Sequence, residues 1–403
     1  MRYRFPFHDA TFEFDLPSTW HVHVAAIRDG PPLDREGMER ALARPIGSPR
    51  LREIARGRGR AVIIVEDVTR PAPTHLLTPL AVAELEAAGI QRRNMQVLNA
   101  AAAHRPQLGF EFRRKLGLEV YETIEALNPS PYEDLAHLGH SSRGTPVYVN
   151  REVVEADIRV GVGGIVPHPS AGFGGGAKLI LPGVCGMETI AHHHGAFQGA
   201  PGKVEDNPFR EDLEEVGRIA GLDFIVNAVI TSEGEIAGLF AGDMVQAHRA
   251  GVQFARRVYA VQHAPPADIA IINAYPLDID LFQSPKALSA VGGGRTVREG
   301  GAILLTAACP EGVGFHAWAG RGGRGWSGPR RMLPEQLSDR KFLLYSPNLS
   351  RAQVESTVTE EALFFSEFEE AIEALAREYP NPRVNLFPQG ALAVIGRDNG
   401  EDK

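Results

Sequence analysis

Short unbroken apolar runs alternate with helical periodicities along this chain. RAVIIVED (60–67) is apolar at consecutive positions, the pattern of a strand buried on both faces. The loop VTRPAPTH separates it from LLTPLAVAELEAAGI (76–90), which reads as an amphipathic helix, and NMQVLNAAAAH (94–104) reads as the next strand. Strand, helix and strand in that order predict a right-handed crossover and a parallel pair. TPVYVN and DIRVGVGGIVPH predict two more strands. A glycine-rich loop (172–176) follows, then a helix through METIAHHHGAF, strands in LDFIVNAVIT and EIAGLFAGD, and a long helix over 244–262. HAPPAD (263–268) carries the prolines of a boundary, and the pattern restarts beyond it. ADIAIINAYP predicts a strand, a helix begins near Ser284, GGAILLTAAC and KFLLYS predict strands, and TEEALFFSEFEEAIEALA predicts a helix. The fold class expected is α/β, with two α/β domains (1–264 and 265–403) and mostly parallel sheets. GRGGRGWSGPRRM (320–332) reads as a mobile loop or flap.

Composition narrows the function. A chain of 403 residues is long for one core, which agrees with two domains. A net charge of −8 argues against a general nucleic-acid binder, though a local basic pocket for a small anion is compatible with it. No apolar run approaches the ~20 residues of a membrane helix. The N-terminal MRYRFPFHDATFEFD has no apolar signal core, so neither nucleic acid nor membrane is expected as a partner. Cys185 and Cys309 make no disulfide framework, and a reducing, cytoplasmic setting fits.

Ligands of open α/β sheets bind at the carboxyl ends of strands, and there the reactive side chains collect. Asp67, Thr69 and Arg70 follow the first strand, His104 the second, His168 and Ser170 a third, and Asp278, Gln283 and Lys286 the first strand of the second domain. Groups delivered from both domains predict an active-site cleft between them, closing by a hinge. Arg70 is either a fork for a carboxylate or phosphate or a cap on internal carboxylates. His104 and His168 suit acid/base work near neutral pH, and each also suits an ordinary turn. Gly174, Gly175 and Gly176 permit close backbone approach, and their amides could cradle a phosphate. The loop is neither GxGxxG nor GxxxxGK[ST], so neither dinucleotide nor P-loop chemistry follows. Lys178, directly after it, is a phosphate contact, a covalent tether or a surface lysine. His192, His193 and His194 would point about 100° apart on a helix, so at most one of them faces a common site.

Together DVTRP, AHRP, HPSAGFGGGAKLILPG, the downstream histidine, NPFRED, YPLDIDLFQSPKA and CPEGVG resemble the lactate racemase family, in order and across almost the whole chain. The resemblance implies racemisation or epimerisation of a 2-hydroxy acid by reversible hydride transfer through a 2-keto acid. It also implies a nickel-pincer nucleotide, the nickel complex of a pyridinium-3-thioamide-5-thiocarboxylic acid mononucleotide. On that reading Lys178 is the covalent tether, His194 the nickel ligand, and His104 and His168 the acid/base pair. Arg70, Gln283 and Lys286 hold the substrate anion. Asp67, Ser170 and the loop glycines contact or support the cofactor. Proteins of cofactor biosynthesis are the implied partners besides the substrate. Phe282 stands where the founding lactate enzymes are expected to carry tyrosine, which loosens the tie to lactate. The competing readings are an epimerase of a larger aromatic, dicarboxylic or sugar acid, a non-catalytic nickel-nucleotide binder, and a Schiff-base enzyme built on Lys178.

Overall fold

The computed structural model describes residues 1–101, 103–261, 264–359 and 361–396. Its contacts divide the chain into two compact units. One holds Gly30–Ala255 with Phe315–Trp326; the other holds Met1–Asp29, Arg256–Gly314 and the residues from Ser327 onward. A single cut at 264/265 therefore does not describe the units. The first 29 residues group with the C-terminal half of the sequence, and 315–326 group with the N-terminal half. His263, at the start of the expected boundary, lies outside the described residues, as do Ala102 and Glu360.

The first unit is built on a six-stranded sheet. Its strands are β1 (Ala61–Glu66), β2 (Met95–Ala100), β3 (Glu125–Leu127), β4 (Ile158–Gly164), β5 (Phe224–Ile230) and β6 (Ile236–Gly242). They lie in the order β6-β5-β4-β1-β2-β3, parallel except for the antiparallel β5–β6 pair. Helix α1 (Thr74–Ala87) makes the crossover between β1 and β2. Alternate residues of β1 enter different cores. Ile63 and Val65 pack with Leu77, Ala81 and Leu85 of α1, while Val62 and Ile64 pack with Ile180, Leu181 and Leu213 on the opposite face. Each such side chain contributes about 1.5–3 kcal/mol when fully buried, which is why the strand is apolar at every position rather than at every second one.

The second unit has its own six-stranded sheet, entirely parallel. Its strands run in the order Ala362–Phe365, Lys341–Tyr345, Val297–Thr306, Ala267–Asn273, Arg383–Phe387 and His21–Val24. The edge strand HVHV is mostly exposed and carries no apolar run, so periodicity does not reveal it. Ahead of it an antiparallel hairpin, Arg2–Phe7 with Ala10–Asp15, packs Phe5 and Phe14 against Phe368 in the core. Two expected helices differ. ALFF is a sheet strand paired with Phe342–Tyr345, and the helix begins only at Phe368. The segment Ser284–Gly294 is 3-10, with Gly292 and Gly293 in left-handed conformations. Aromatic side chains favour the pleated half-buried edge over continuing a helix.

Glycines in β4 admit the elements that pack on it. A Cβ on Gly163 would stand 2.8 Å from Glu66 Oε2, a carboxylate already fixed by several hydrogen bonds. Gly163→Ala is expected to cost about 1–3 kcal/mol through overpacking, seen as an earlier midpoint in urea unfolding with an unchanged slope.

Candidate active site

The loop after β1 is anchored by a buried acid. Glu66 accepts from Gly164 N–H (2.6 Å) and Ala72 N–H (2.9 Å), and Lys115 Nζ lies 3.4 Å from it while donating to Arg70 O and Ala72 O (3.0 Å each). The turn carrying Asp67, Thr69 and Arg70 is thus held from both sides. Within it Asp67 Oδ1 accepts from Thr69 N–H (3.0 Å) and Oγ1 (2.6 Å), and Oδ2 lies 2.5 Å from His104 Nδ1. Burial alone would raise the Asp67 pKa. The charge and hydrogen bond of His104, with Arg70 and Thr69, outweigh it and hold the carboxyl well below the usual carboxylate range. An ionised Asp67 can only accept, so Nδ1 of His104 carries a proton in either state of the ring, and when the ring is neutral its lone pair is on Nε2.

His168 is held the other way round. Its Nδ1 accepts from the backbone N–H groups of Ser170 (3.2 Å) and Ala171 (3.1 Å), so its neutral ring carries the proton on Nε2. Ser170 therefore contributes through its backbone. Its carbonyl is gripped in turn by Asn207 Nδ2 (2.9 Å), whose Oδ1 caps helix Pro208–Ile219.

Two amides of the glycine loop bond within the protein. Gly174 N–H donates to Val166 O (2.7 Å) and Gly176 N–H to Asn227 Oδ1 (2.7 Å), so both amides serve the loop's own fold. The glycines are needed for close approach. Gly175 and Gly176 have φ of 75° and 60°, and a Cβ on Gly176 would come within 2.9 Å of Arg210 Nη2. Fully buried Arg210 binds Phe173 O (3.1 Å), Gly175 O (3.3 Å) and Glu214 (2.8 Å). It also donates to His248 Nδ1 (2.9 Å), whose Nε2 donates to Gly174 O (2.8 Å). Lys178 leaves this loop half-buried, with Nζ 5.9 Å above the Phe209 ring and no hydrogen bond among the described residues. Burial, then Arg70 and Arg210, push its amine well below the ordinary lysine value.

The three histidines on helix Met187–Ala196 diverge as helical geometry requires. His192 is exposed beside Thr145 Oγ1 (3.1 Å), and His193 is buried on Phe209 O (2.9 Å). His194 is half-buried; its Nδ1 donates to Ile190 O (2.9 Å), leaving the lone pair on Nε2. Burial, with His193 and Lys178 nearby, pushes His194 down to about 3, so the ring is neutral at ordinary pH. Residues 320–326, the first part of the stretch read as a mobile flap, belong with 315–319 to a bonded turn on this unit. Ala317 N–H donates to Ala103 O (2.6 Å), His316 meets His104 edge-on at 5.4 Å, and Trp318 leans on His194 at 5.6 Å. In the other unit, Lys286 Nζ donates to Gln283 Oε1, and both lie at the start of the Ser284–Gly294 segment. Asp278 there accepts from His8 N–H (2.7 Å).

A family model, the lactate racemase N-terminal domain, matches residues 7–205. The lactate racemase of Lactiplantibacillus plantarum is 35% identical over 302 residues, covering 73% of this chain and 70% of its own length. That of Thermoanaerobacterium thermosaccharolyticum is 33% identical over 329 residues, covering 78% and 76%. The chain belongs to the lactate racemase family. Its fold matches the structure of the T. thermosaccharolyticum lactate racemase apoprotein with a TM-score of 0.78, at 26% identity over 98% of this chain and 100% of that one. A Thermotoga maritima protein shares the fold at a TM-score of 0.69 and 18% identity, over 91% of this chain and 100% of that one.

Within this lactate racemase family member the unit of Gly30–Ala255 brings Asp67 to His104 and Arg70, and Lys178 to His194. Periodicity and spacing had no means of assigning Asn207, Arg210, His248, His316 and Trp318. NPFRED carried the first two in a recognisable motif; the others enter by tertiary contact alone. Asp67→Asn would turn an amide N–H toward His104 and drive its proton to Nε2. The expected readout is a tautomer change in ¹⁵N NMR, with a kcat loss of about 10²–10⁴-fold.

Proposed function

We propose that this chain is a racemase or epimerase of a 2-hydroxy acid, lactate or another short aliphatic one, working with a nickel-pincer nucleotide tethered to Lys178 and ligated by His194. The observation that carries the reading is that both histidines are oriented through Nδ1, His104 by the Asp67 carboxylate and His168 by the backbone N–H groups of Ser170 and Ala171. Inverting a carbinol centre needs one neutral group to take the hydroxyl proton and another, protonated beforehand, to return one, and a pair of imidazoles can fill both roles near neutral pH. A storage protein has no use for it.

The residues also suit the cofactor. Among the described residues no three His, Cys, Asp or Glu side chains form a metal cage. A single neutral imidazole beside a half-buried lysine whose amine burial pushes well below its ordinary value suits a metal arriving with its own ligands on a group that the amine can bind covalently. When bound, the cofactor supplies a reversible hydride acceptor for substrate C2. His104 Nε2 takes the hydroxyl proton as the 2-keto acid forms, with the Asp67 carboxylate stabilising the imidazolium. Arg70 holds the carboxylate while the planar keto acid turns, with Gln283 and Lys286 proposed as further anion contacts. His168, as the imidazolium, returns a proton to the oxygen and becomes neutral while His104 stays protonated, so the roles exchange in the reverse direction. Its partners would be the substrate and the proteins that make the cofactor. Phe282 in place of a hydroxyl-bearing tyrosine favours testing larger 2-hydroxy acids beside lactate.

Expressed with the cofactor pathway, the protein should carry a mass increment on Lys178 and about one nickel per chain, as a single tethered nucleotide with one protein ligand to its metal requires. Lys178→Ala should carry no increment; a tethered cofactor in that variant would contradict the assignment. His104→Ala and His168→Ala should keep the increment and lose about 10²–10⁴-fold in racemisation rate. Near-full exchange at C2 in either would sink the two-histidine scheme, and a panel of aliphatic, aromatic, dicarboxylic and sugar acids would rank the substrates.

A further inference from the structure

The turn over 315–326 is drawn from the C-terminal stretch of the sequence and built for close contact. Gly320 N–H bonds His316 O (2.7 Å) and Gly325 N–H bonds Trp318 O (2.8 Å), folding the segment back on itself. A Cβ on Gly323 would lie 2.4 Å from Trp318 O, and one on Gly325 2.6 Å from Trp318 Cε2. His316 is oriented by its own turn, with Nδ1 accepting from Ala319 N–H (3.1 Å). The glycine-rich sequence is what lets the turn place two aromatic rings on two different site residues.

His194 has one hydrogen bond, to its own helix, which fixes a single ring atom. Phe209, edge-on at 5.2 Å, and Trp318, tilted at 5.6 Å, are its flanking aromatic walls. His104 is likewise fixed at Nδ1 by Asp67 and touched from the side by the His316 ring. We infer that 315–326 is a positioning clasp: Trp318 sets the ring plane of His194 for the metal, and His316 steadies His104 for proton transfer. Both are positioning residues, and the inference rests on the nickel-ligand reading of His194. Ligation is directional, so loss of a group that orients a metal-binding imidazole lowers affinity by about 10–100-fold.

The test uses full-length protein loaded with cofactor, dialysed, and assayed for nickel per covalent adduct on Lys178. Trp318→Ala should keep the adduct and weaken nickel retention about 10–100-fold. Trp318→Phe should restore most of it, and Gly325→Ala, which displaces the indole without removing it, should fall between. His194→Ala is the reference: nickel retained at the wild-type level there overturns the ligand reading and the clasp's metal role with it. Nickel lost in His194→Ala but fully retained in Trp318→Ala and Gly325→Ala overturns the clasp alone. His316→Ala should lower kcat about 10- to 10²-fold at unchanged KM, with partial rescue by His316→Asn, which can still accept the Ala319 N–H. Wild-type kcat in His316→Ala overturns its part.

Discussion

The buried Glu66 carboxylate is the point on which the arrangement of the site depends. It ends β1, takes the Gly164 amide at the end of β4, takes the Ala72 amide beyond the Asp67 turn, and faces Lys115 from the next helical layer. Burial penalises both charges, raising the Glu66 pKa and lowering that of Lys115. The same burial makes loss of either partner costly, since an unpaired ion would remain inside. Because Lys115 also holds the carbonyls of Arg70 and Ala72, one ionic contact fixes the backbone from which Asp67 reaches His104 and Arg70 projects.

A second hub does the same for the other half of the site. Asn207 and Arg210, one helical turn apart, reach the carbonyls of Ser170, Phe173 and Gly175. They thereby hold both the turn that orients His168 and the loop that delivers Lys178. Phe209 between them lies under the lysine amine and against His194. The reactive groups are thus supported by backbone carbonyls and amides gripped by buried side chains. Reacting side chains on loops gain their precision from such shells.

The linear sequence determined a good deal. Apolar runs gave the central strands because strands buried on both faces must be apolar at every position. Strand–helix–strand order fixed parallel pairing, helical spacing separated the three adjacent histidines, and the joint motifs pointed to the family. What only the tertiary structure decided depends on contacts between residues far apart in the chain. The polar edge strand His21–Val24 is defined by its neighbour Arg383–Phe387, and no local signal marks it. The proton positions on His104 and His168 follow from an aspartate 37 residues away in one case and two nearby amides in the other. Two of the glycine amides readable as an anion cradle, those of Gly174 and Gly176, bond Val166 and Asn227. Residues 315–326, which overlap the stretch 320–332 readable as a flap, join the unit of Gly30–Ala255, where Ala103, His104 and His194 meet them. Periodicity records which face of an element is buried; which residue lies across from it is set only when the chain closes on itself.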